Sequence, residues 1–423
     1  MFPTLTYHWR RLRARLHRLR LALHARGWRG MLARLQAPPR PASAPVPRLQ
    51  ASQPPGRGRR VLLIDVATPR PDRDSGSLRA FNLMRLLRAD GYRVDFLPDD
   101  RAEAGEYAQA LRGLGVAVHA GAEAYPRWFA QHLRDYDVLV VSRYHLAEFL
   151  IPLARQVAPA LRVVLDTVDL HHLRERREAD LRDDGRLRRL AAVTRKRELQ
   201  AVAAADVAWV VSTVEAELLR GALPTAQIEV LPNLHEAEDA PAPFPQRSGL
   251  LFVGGARHPP NVDAVHWLLA EIFPRVRAHM PGCMLHIVGE GMSEAAAADA
   301  PLASGVQLHG HVPDLRPLLA RCRVGLAPLR FGAGVKGKIN LCMAAGMPVV
   351  ATSCAAEGMH LRDGDDLLVA DAAEAFADAV VRLHGDAALW SRLARAGSDN
   401  VRRHFSFEAA RATIAASLPP ASG

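Results

Sequence analysis

Residues 332–338 read GAGVKGK, a run whose glycines and lysines suit the holding of phosphate. Gly332, Gly334 and Gly337 satisfy G-x-G-x-x-G, the dinucleotide fingerprint, while Gly332, Gly337 and Lys338 satisfy the G-x-x-x-x-G-K of a P-loop. Ile339 then stands where a P-loop carries the Ser or Thr hydroxyl that binds magnesium, which argues against a nucleoside triphosphatase. The lysines are informative in themselves. Of 55 Lys and Arg residues only Lys196, Lys336 and Lys338 are lysine, so a chain that elsewhere chooses arginine keeps its compact ammonium for this motif. Lysine meets phosphate as a point charge, whereas arginine presents a planar fork.

The motif needs a strand before it and a helix after it. RVGLA (323–327) supplies the strand; Ile339, Cys342, Met343 and Gly346 recur at i, i+3, i+4 and i+7, the spacing of a helix packed on a sheet. A Gly-rich turn feeding a helix start presents backbone N–H groups and the positive end of the helix dipole, so an anion is its natural guest. The motif follows the fourth strand of its domain, whereas the P-loop and the dinucleotide fingerprint follow the first. Glu357 lies about 20 residues further on, the spacing of a ribose-binding acid, so an NAD-dependent oxidoreductase stays open as an alternative. The diphosphate of a nucleotide-sugar fits better, with Lys338 in the first helical turn as first ligand and Lys336, still in the loop, as second.

Candidate strands at 61–66, 93–97, 116–119, 137–142, 162–166, 206–212 and 227–231 are followed, after a Pro/Ala-rich stretch at 238–247, by others at 250–254, 283–288, 306–310, 323–327, 347–351 and 367–370. Short continuous apolar runs alternating with helix-length segments predict an α/β chain of two doubly wound, Rossmann-like domains. At 423 residues the chain has room for both. The net charge of +11 suggests nucleic acid until it is located. Residues 1–60 hold fourteen arginines and no carboxylate, leaving −3 on the remainder, so no nucleic-acid partner is expected. Within that basic arm Leu12, Leu16, Leu19 and Leu23 form one helical stripe among arginines. Residues 8–35 therefore suit an anionic membrane surface, against the alternatives of a disordered arm, a transit-like presequence or a helix docked on the body. Residues 37–60 are a Pro-rich linker. The four cysteines show no zinc spacing, which fits a cytoplasmic, reducing setting.

LLFVGGARHPPNVDAVHWLLAEIFP (250–274) with PLRFGAGVKGKINLCMAAGMPVVATSCAAEGM (328–359) resembles the retaining glycosyltransferases of the GT-B fold, the "glycosyl transferases group 1" or family 4 class. The resemblance covers roughly residues 60 to 410 and implies two domains facing a central cleft, with the basic arm at 1–58, an acceptor domain at 59–240 and a nucleotide-sugar domain at 241–399. It implies a closing helix at 400–423 returning to the acceptor domain, a hexosyltransferase-type transfer with retention, and no bound metal or cofactor, the nucleotide-diphosphate sugar being a co-substrate. Carried over by position, Gly254, Gly255, Arg257, His258 and Asn261 face the donor, Gly289 with Glu290 and Gly291 lines the same cleft, and His311 in HGHVPD lies where the base is received. Gly334, Lys336 and Lys338 meet the diphosphate, and Gly76 and Ser77 sit at a turn near the sugar phosphates. The class's paired glutamates fall at Ala333 and Leu341 here; both are missing, and Glu357 is a candidate substitute.

Leaving-group stabilisation is electrostatic work for Lys336, Lys338 and helix N-termini. Positive charge at the anomeric carbon calls for a carboxylate or neutral imidazole, and Asp169 and His171, just beyond the strand at 162–166, are the candidates, with Asp166 and His172 beside them. Local hydrogen bonding at a helix start explains a histidine pair equally well. Asp72-Arg73-Asp74 mimics a metal-binding D-x-D but reads as a solvated loop, and His309 with His311 lacks further ligand spacing, so no metal is expected. A cell-surface polysaccharide, glycolipid or glycan acceptor is implied by the family, with a pseudo-transferase scaffold as the non-enzymatic alternative.

Overall fold

The short apolar runs are strands, and they pair in parallel throughout. The computed structural model describes residues 3–36, 58–102, 105–297 and 304–421, so the linker expected at 37–60 lies almost wholly outside the described residues. The first sheet holds β1 (Arg60–Asp65), β2 (Arg93–Pro98), β3 (Ala117–Val118), β4 (Val138–Ser142), β5 (Arg162–Asp166), β6 (Val207–Val210) and β7 (Ile228–Val230), in the order β3-β2-β1-β4-β5-β6-β7. The second holds β8 (Leu250–Val253), β9 (Leu285–Val288), β10 (Val306–Gly310), β11 (Val324–Ala327), β12 (Val349–Ala351) and β13 (Leu368–Val369), in the order β10-β9-β8-β11-β12-β13. Both orders reverse after their first strand, so each sheet has a switch point, β1 beside β4 and β8 beside β11, beyond whose carboxyl ends ligands bind. Strands such as β4 and β11 are buried along their whole length, as continuous apolar runs covered on both faces must be. Several begin later than their apolar runs. β12 starts at Val349, just after Pro348, which has no N–H to give the ladder, and β9 starts after Cys283 has closed a turn onto the Met280 carbonyl.

The helices that bear on function are α1 (Pro3–Gln36), α2 (Ser75–Ala89), α3 (Tyr144–Val157), α4 (His171–Leu181), α5 (Gly185–Ala204), α6 (Pro259–Trp267), α7 (Gly337–Ala344), α8 (Ala387–His404) and α9 (Phe407–Ser417). Asp74 opens α2 by accepting from the Ser77 amide at 2.8 Å, and Asp184 opens α5 by accepting from the amides of Arg186 and Leu187. Each replaces a partner that the first turn lacks, worth about 1 kcal/mol.

Two compact units result. Unit 1 comprises residues 1–69, 80–231 and 413–423, and unit 2 residues 70–79 and 232–412. The division thus falls at 231/232, and the loop 70–79 groups with unit 2. The closing segment joins unit 1 from Thr413, later than the expected 400, because α8 belongs to unit 2, where Gly397 packs on Met343. In unit 1 the Thr413 hydroxyl donates to the Val230 carbonyl at 2.8 Å, and the Ser417 hydroxyl accepts from Trp209 Nε1 at 2.9 Å. Over its described side chains the N-terminal arm is a docked helix. Tyr7 and Ala14 enter the core of unit 1, and His17 Nε2 lies 2.9 Å from the Thr194 hydroxyl on α5. Among the described residues no helix is long and apolar enough to cross a membrane.

Candidate active site

In unit 2 the loops after β8, β9 and β11 pack closely enough to require glycine. A Cβ on Gly289 would lie 2.0 Å from the Gly254 carbonyl oxygen, and one on Gly254 would meet the Asn261 amide at 2.6 Å. Asn261 is buried between two partners: its Nδ2 donates to the Gly255 carbonyl at 3.0 Å, and its Oδ1 accepts from Lys338 Nζ at 2.6 Å. Lys338 Nζ also lies 4.2 Å from the centre of the Phe252 ring. Burial pushes the Lys338 ammonium down to about 7, with Lys336 adding to the shift and Cys342 opposing it. Lys336 occupies the N-cap of α7 and is buried; its Nζ donates to the carbonyls of Gly334 at 2.7 Å and Ala333 at 3.3 Å. Both amines thus reach neutral acceptors, Lys336 the carbonyls of its own loop and Lys338 the Asn261 side chain on α6.

The start of α2 belongs to the same place. A Cβ on Gly337, the first residue of α7, would lie 2.1 Å from the Ser75 hydroxyl, the first residue of α2. Two helix N-termini therefore meet where Gly76 and Ser77 were expected beside the phosphates. The neighbouring Asp72 and Arg73 correct the solvated reading of that loop. Both are largely enclosed, Asp72 with its Oδ2 3.0 Å from His311 Nε2 and Arg73 with its Nη1 3.5 Å from Glu290 Oε2, while Arg257 approaches the other oxygen of Glu290 at 3.6 Å. Burial first and Arg73 second lower the His311 pKa, so the ring is neutral near pH 7. His258 is the N-cap of α6, and its amide donates to the Gly255 carbonyl at 3.3 Å. His309 turns to His286 instead, 2.9 Å away, and among the described residues no group of three or more His, Cys, Asp or Glu side chains could hold a metal ion. Glu357 is half-buried at the end of the short helix Ser353–Ala356, and Ala333 and Leu341 place apolar side chains at the two glutamate positions.

In unit 1 the candidates cluster beyond the carboxyl ends of β1, β4 and β5. Arg143 Nε donates to Asp65 at 2.9 Å, and Asp166, buried at the end of β5, accepts from the Val168 amide at 3.3 Å. Val168 has φ 66°, a left-handed conformation that costs a β-branched residue about 1–3 kcal/mol and survives only where its surroundings hold it. Thr167 on the Trp209 carbonyl and the Leu170 amide on Glu215 supply that hold. The strained turn sets Asp169 between Arg174, which donates to it, and His171, whose Nε2 is 3.2 Å away. His171 and His172 begin α4, and Glu198 accepts from both of their amides and lies 2.5 Å from the His172 ring. His172 is thus tied to the helix start, while His171 faces the carboxylate.

Phe252, Glu198 and the Asp72–His311 contact escape motif reading because each acts through a residue distant in sequence. Asn340, fully buried with neither amide atom partnered, carried no signal beyond being polar in an apolar helix.

Two parallel, doubly wound units with Gly-rich loops at the carboxyl ends of their strands define the GT-B architecture, and solved structures agree. Sucrose-phosphate synthase from Thermosynechococcus elongatus matches at TM-score 0.61 and 16% identity, covering 84% of this chain and 97% of that one. Anabaena Alr3699/HepE in complex with UDP-glucose matches at TM-score 0.63 and 14% identity, covering 84% and 98%. Residues 247–386, about a third of the chain, match the family described as Glycosyl transferases group 1. A lipopolysaccharide core biosynthesis glycosyltransferase, LpsE, of Rhizobium meliloti (strain 1021) is 32% identical over 139 residues, 31% of this chain and 40% of the relative's length.

Proposed function

We propose that the chain is a glycosyltransferase that moves a sugar, with retention, from a nucleotide-diphosphate sugar to a cell-surface polysaccharide, glycolipid or glycan acceptor. The observation that carries this reading is the meeting of two helix N-termini at Ser75 and Gly337 beside buried Lys336 and half-buried Lys338. Fixed N–H groups and cations in a low-dielectric pocket stabilise a leaving diphosphate more strongly than water does. When the anomeric C–O bond breaks, its electron pair leaves on the diphosphate, and Lys336, Lys338 and the two helix starts meet that charge without a bound metal or cofactor. The acceptor oxygen forms the new bond to the anomeric carbon and its proton passes to the departing phosphate. Asp169, held by Arg174 with His171 against it, is the carboxylate for the positive charge at the sugar. Gly254, Gly255, Arg257, His258, Asn261, Gly289 and His311 line the donor's sugar and base, and Glu357 is the candidate for the ribose. The kinship with a lipopolysaccharide-core enzyme supports a cell-surface acceptor, and we place the protein on the cytoplasmic side, peripheral to the inner face of the membrane.

Ala333 and Leu341 favour one second reading, a scaffold that binds donor and turns it over slowly or not at all. Thermal shift against UDP-, GDP- and dTDP-sugars tests the donor site. A shift with at least one, lost in Lys338→Ala, is expected; silence with all of them, or indifference to the substitution, overturns it. A shift with NAD alone would point to an oxidoreductase.

A further inference from the structure

Four of the large apolar side chains left exposed in the described residues lie along one helix: Trp9 at 60%, Leu12 at 55%, Leu16 at 46% and Leu19 at 45%. They recur on α1 at i, i+3, i+7 and i+10, a single ridge. At ~100° per residue this ridge lies roughly opposite Tyr7 and Ala14, the residues that dock α1 on unit 1. Docking is specific as well as apolar. Besides Tyr7 against Phe149 and His17 on Thr194, Arg11 lies 3.5 Å from Asp99, and His24 lies 2.5 Å from Asp184. From Tyr7 to His24 the helix is therefore held with a fixed face outward.

That face is the opposite of what folding alone would select. A helix that served only to cover α3 and α5 would turn its leucines inward and leave Ala14 and His17 in water. Here His17 is buried and the leucines are not. Exposed Arg13 and Arg20 flank the ridge on one side and exposed Arg15 on the other, and the Arg13 guanidinium sits 5.5 Å from the Trp9 ring centre. Residues 1–60 carry fourteen arginines and no acid.

We infer that the Trp9–Leu12–Leu16–Leu19 ridge of α1 is the seat of an anionic lipid bilayer. A leucine line with an indole at one end and guanidinium groups on both flanks matches the boundary between acyl chains and phosphate headgroups. A second copy of the chain suits it poorly, since a two-fold contact through the ridge would set arginine flanks against arginine flanks. The inference rests on the peripheral attachment proposed above and names its surface; unit 1 would lie with α1 flat on the lipid.

The test is co-sedimentation of the full chain with vesicles of phosphatidylcholine alone and of phosphatidylcholine with phosphatidylglycerol. The wild-type chain should pellet with the anionic vesicles only. Leu12→Glu/Leu16→Glu should weaken that binding about ten-fold or more, with the unfolding midpoint unchanged because both side chains point outward. Arg13→Gln/Arg20→Gln should weaken it several-fold and flatten its salt dependence. Equal pelleting of wild type and the leucine variant overturns the inference, as does a light-scattering dimer that the same variant abolishes. Ridge-dependent vesicle binding by a chain that no nucleotide-sugar shifts would uphold this surface and refute the donor site, so the two failures are distinguishable.

Discussion

Lys338→Met is the perturbation whose consequences follow most directly from the structure. The ammonium titrates at about 7 against an ordinary 10.5, chiefly because burial disfavours its charge. In the unfolded chain the amine keeps its proton up to about pH 10.5, so between pH 7 and that value the unfolded state binds the extra proton. Wild-type stability therefore rises with pH across this window, and the cost of the buried charge is complete below pH 7. Between pH 7 and pH 9 the gain is RT ln[(1 + 10²)/(1 + 1)], or about 2 kcal/mol. Methionine fills similar space without a proton, so the stability difference, wild type minus Lys338→Met, should grow by about 2 kcal/mol between those pH values. For a unit of this size that is a relative change in unfolding midpoint of roughly 4–8 °C. Scanning calorimetry of both proteins at pH 7 and 9 measures it. Methionine should be the more stable at pH 7 and lose binding of whichever nucleoside diphosphate, of UDP, GDP and dTDP, shifts the wild type. A difference that does not move with pH would show that the ammonium is not desolvated, and the argument that it waits for an anion would fail. Binding of that nucleoside diphosphate at pH 8 should also take up protons, read as a dependence of the titration heat on buffer ionisation enthalpy and absent in Lys338→Met.

Other expectations concern the loops and helix starts. Gly289→Ala should push apart the loops after β8 and β9, where its Cβ would fall 2.0 Å from the Gly254 carbonyl, and weaken donor binding at least ~10-fold in titration calorimetry, or about 1.4 kcal/mol. Glu198→Gln removes the charge that accepts from the His171 and His172 amides. It should lower kcat about ten-fold with little change in donor KM, because Asp169 and His171 lose their placement while unit 2 is untouched. Glu175, buried beside α5, titrates at about 8, raised mainly by burial. Its stabilising contribution is present below pH 4.5 and declines as pH rises to about 8, so Glu175→Gln should be more stable than wild type at pH 8 and show a smaller loss from pH 5 to 8 in urea unfolding.

The strands were legible because parallel strands buried on both faces must be short, continuous apolar runs; RVVLD became β5, while most other strands differ from their apolar runs by one or two residues at an end, β12 starting after Pro348 and β9 after a turn at Cys283. The Gly-rich turn was legible because only glycine tolerates the approach of Ser75 to Gly337 and of Gly254 to Gly289. What lay hidden depended on partners far apart in sequence. The leucine stripe of α1 was visible in the sequence, but the face that docks is carried by Tyr7, Ala14 and His17, two of which are not strong apolar signals. Likewise Asp72 and Arg73 looked solvated among charged neighbours, and their burial comes from His311 and Glu290, more than 200 residues away.

The central claim is that unit 2 holds a nucleotide-sugar through the loop at 332–338 and that the chain transfers the sugar. The measurement that tests it most directly is nucleoside diphosphate release from a panel of UDP-, GDP- and dTDP-sugars, with a lipopolysaccharide or glycolipid extract as acceptor. Release with one donor, dependent on acceptor and falling at least ~100-fold in Lys338→Ala, is the expected result. No acceptor-dependent release from any donor, or release unaffected by Lys338→Ala, would contradict it.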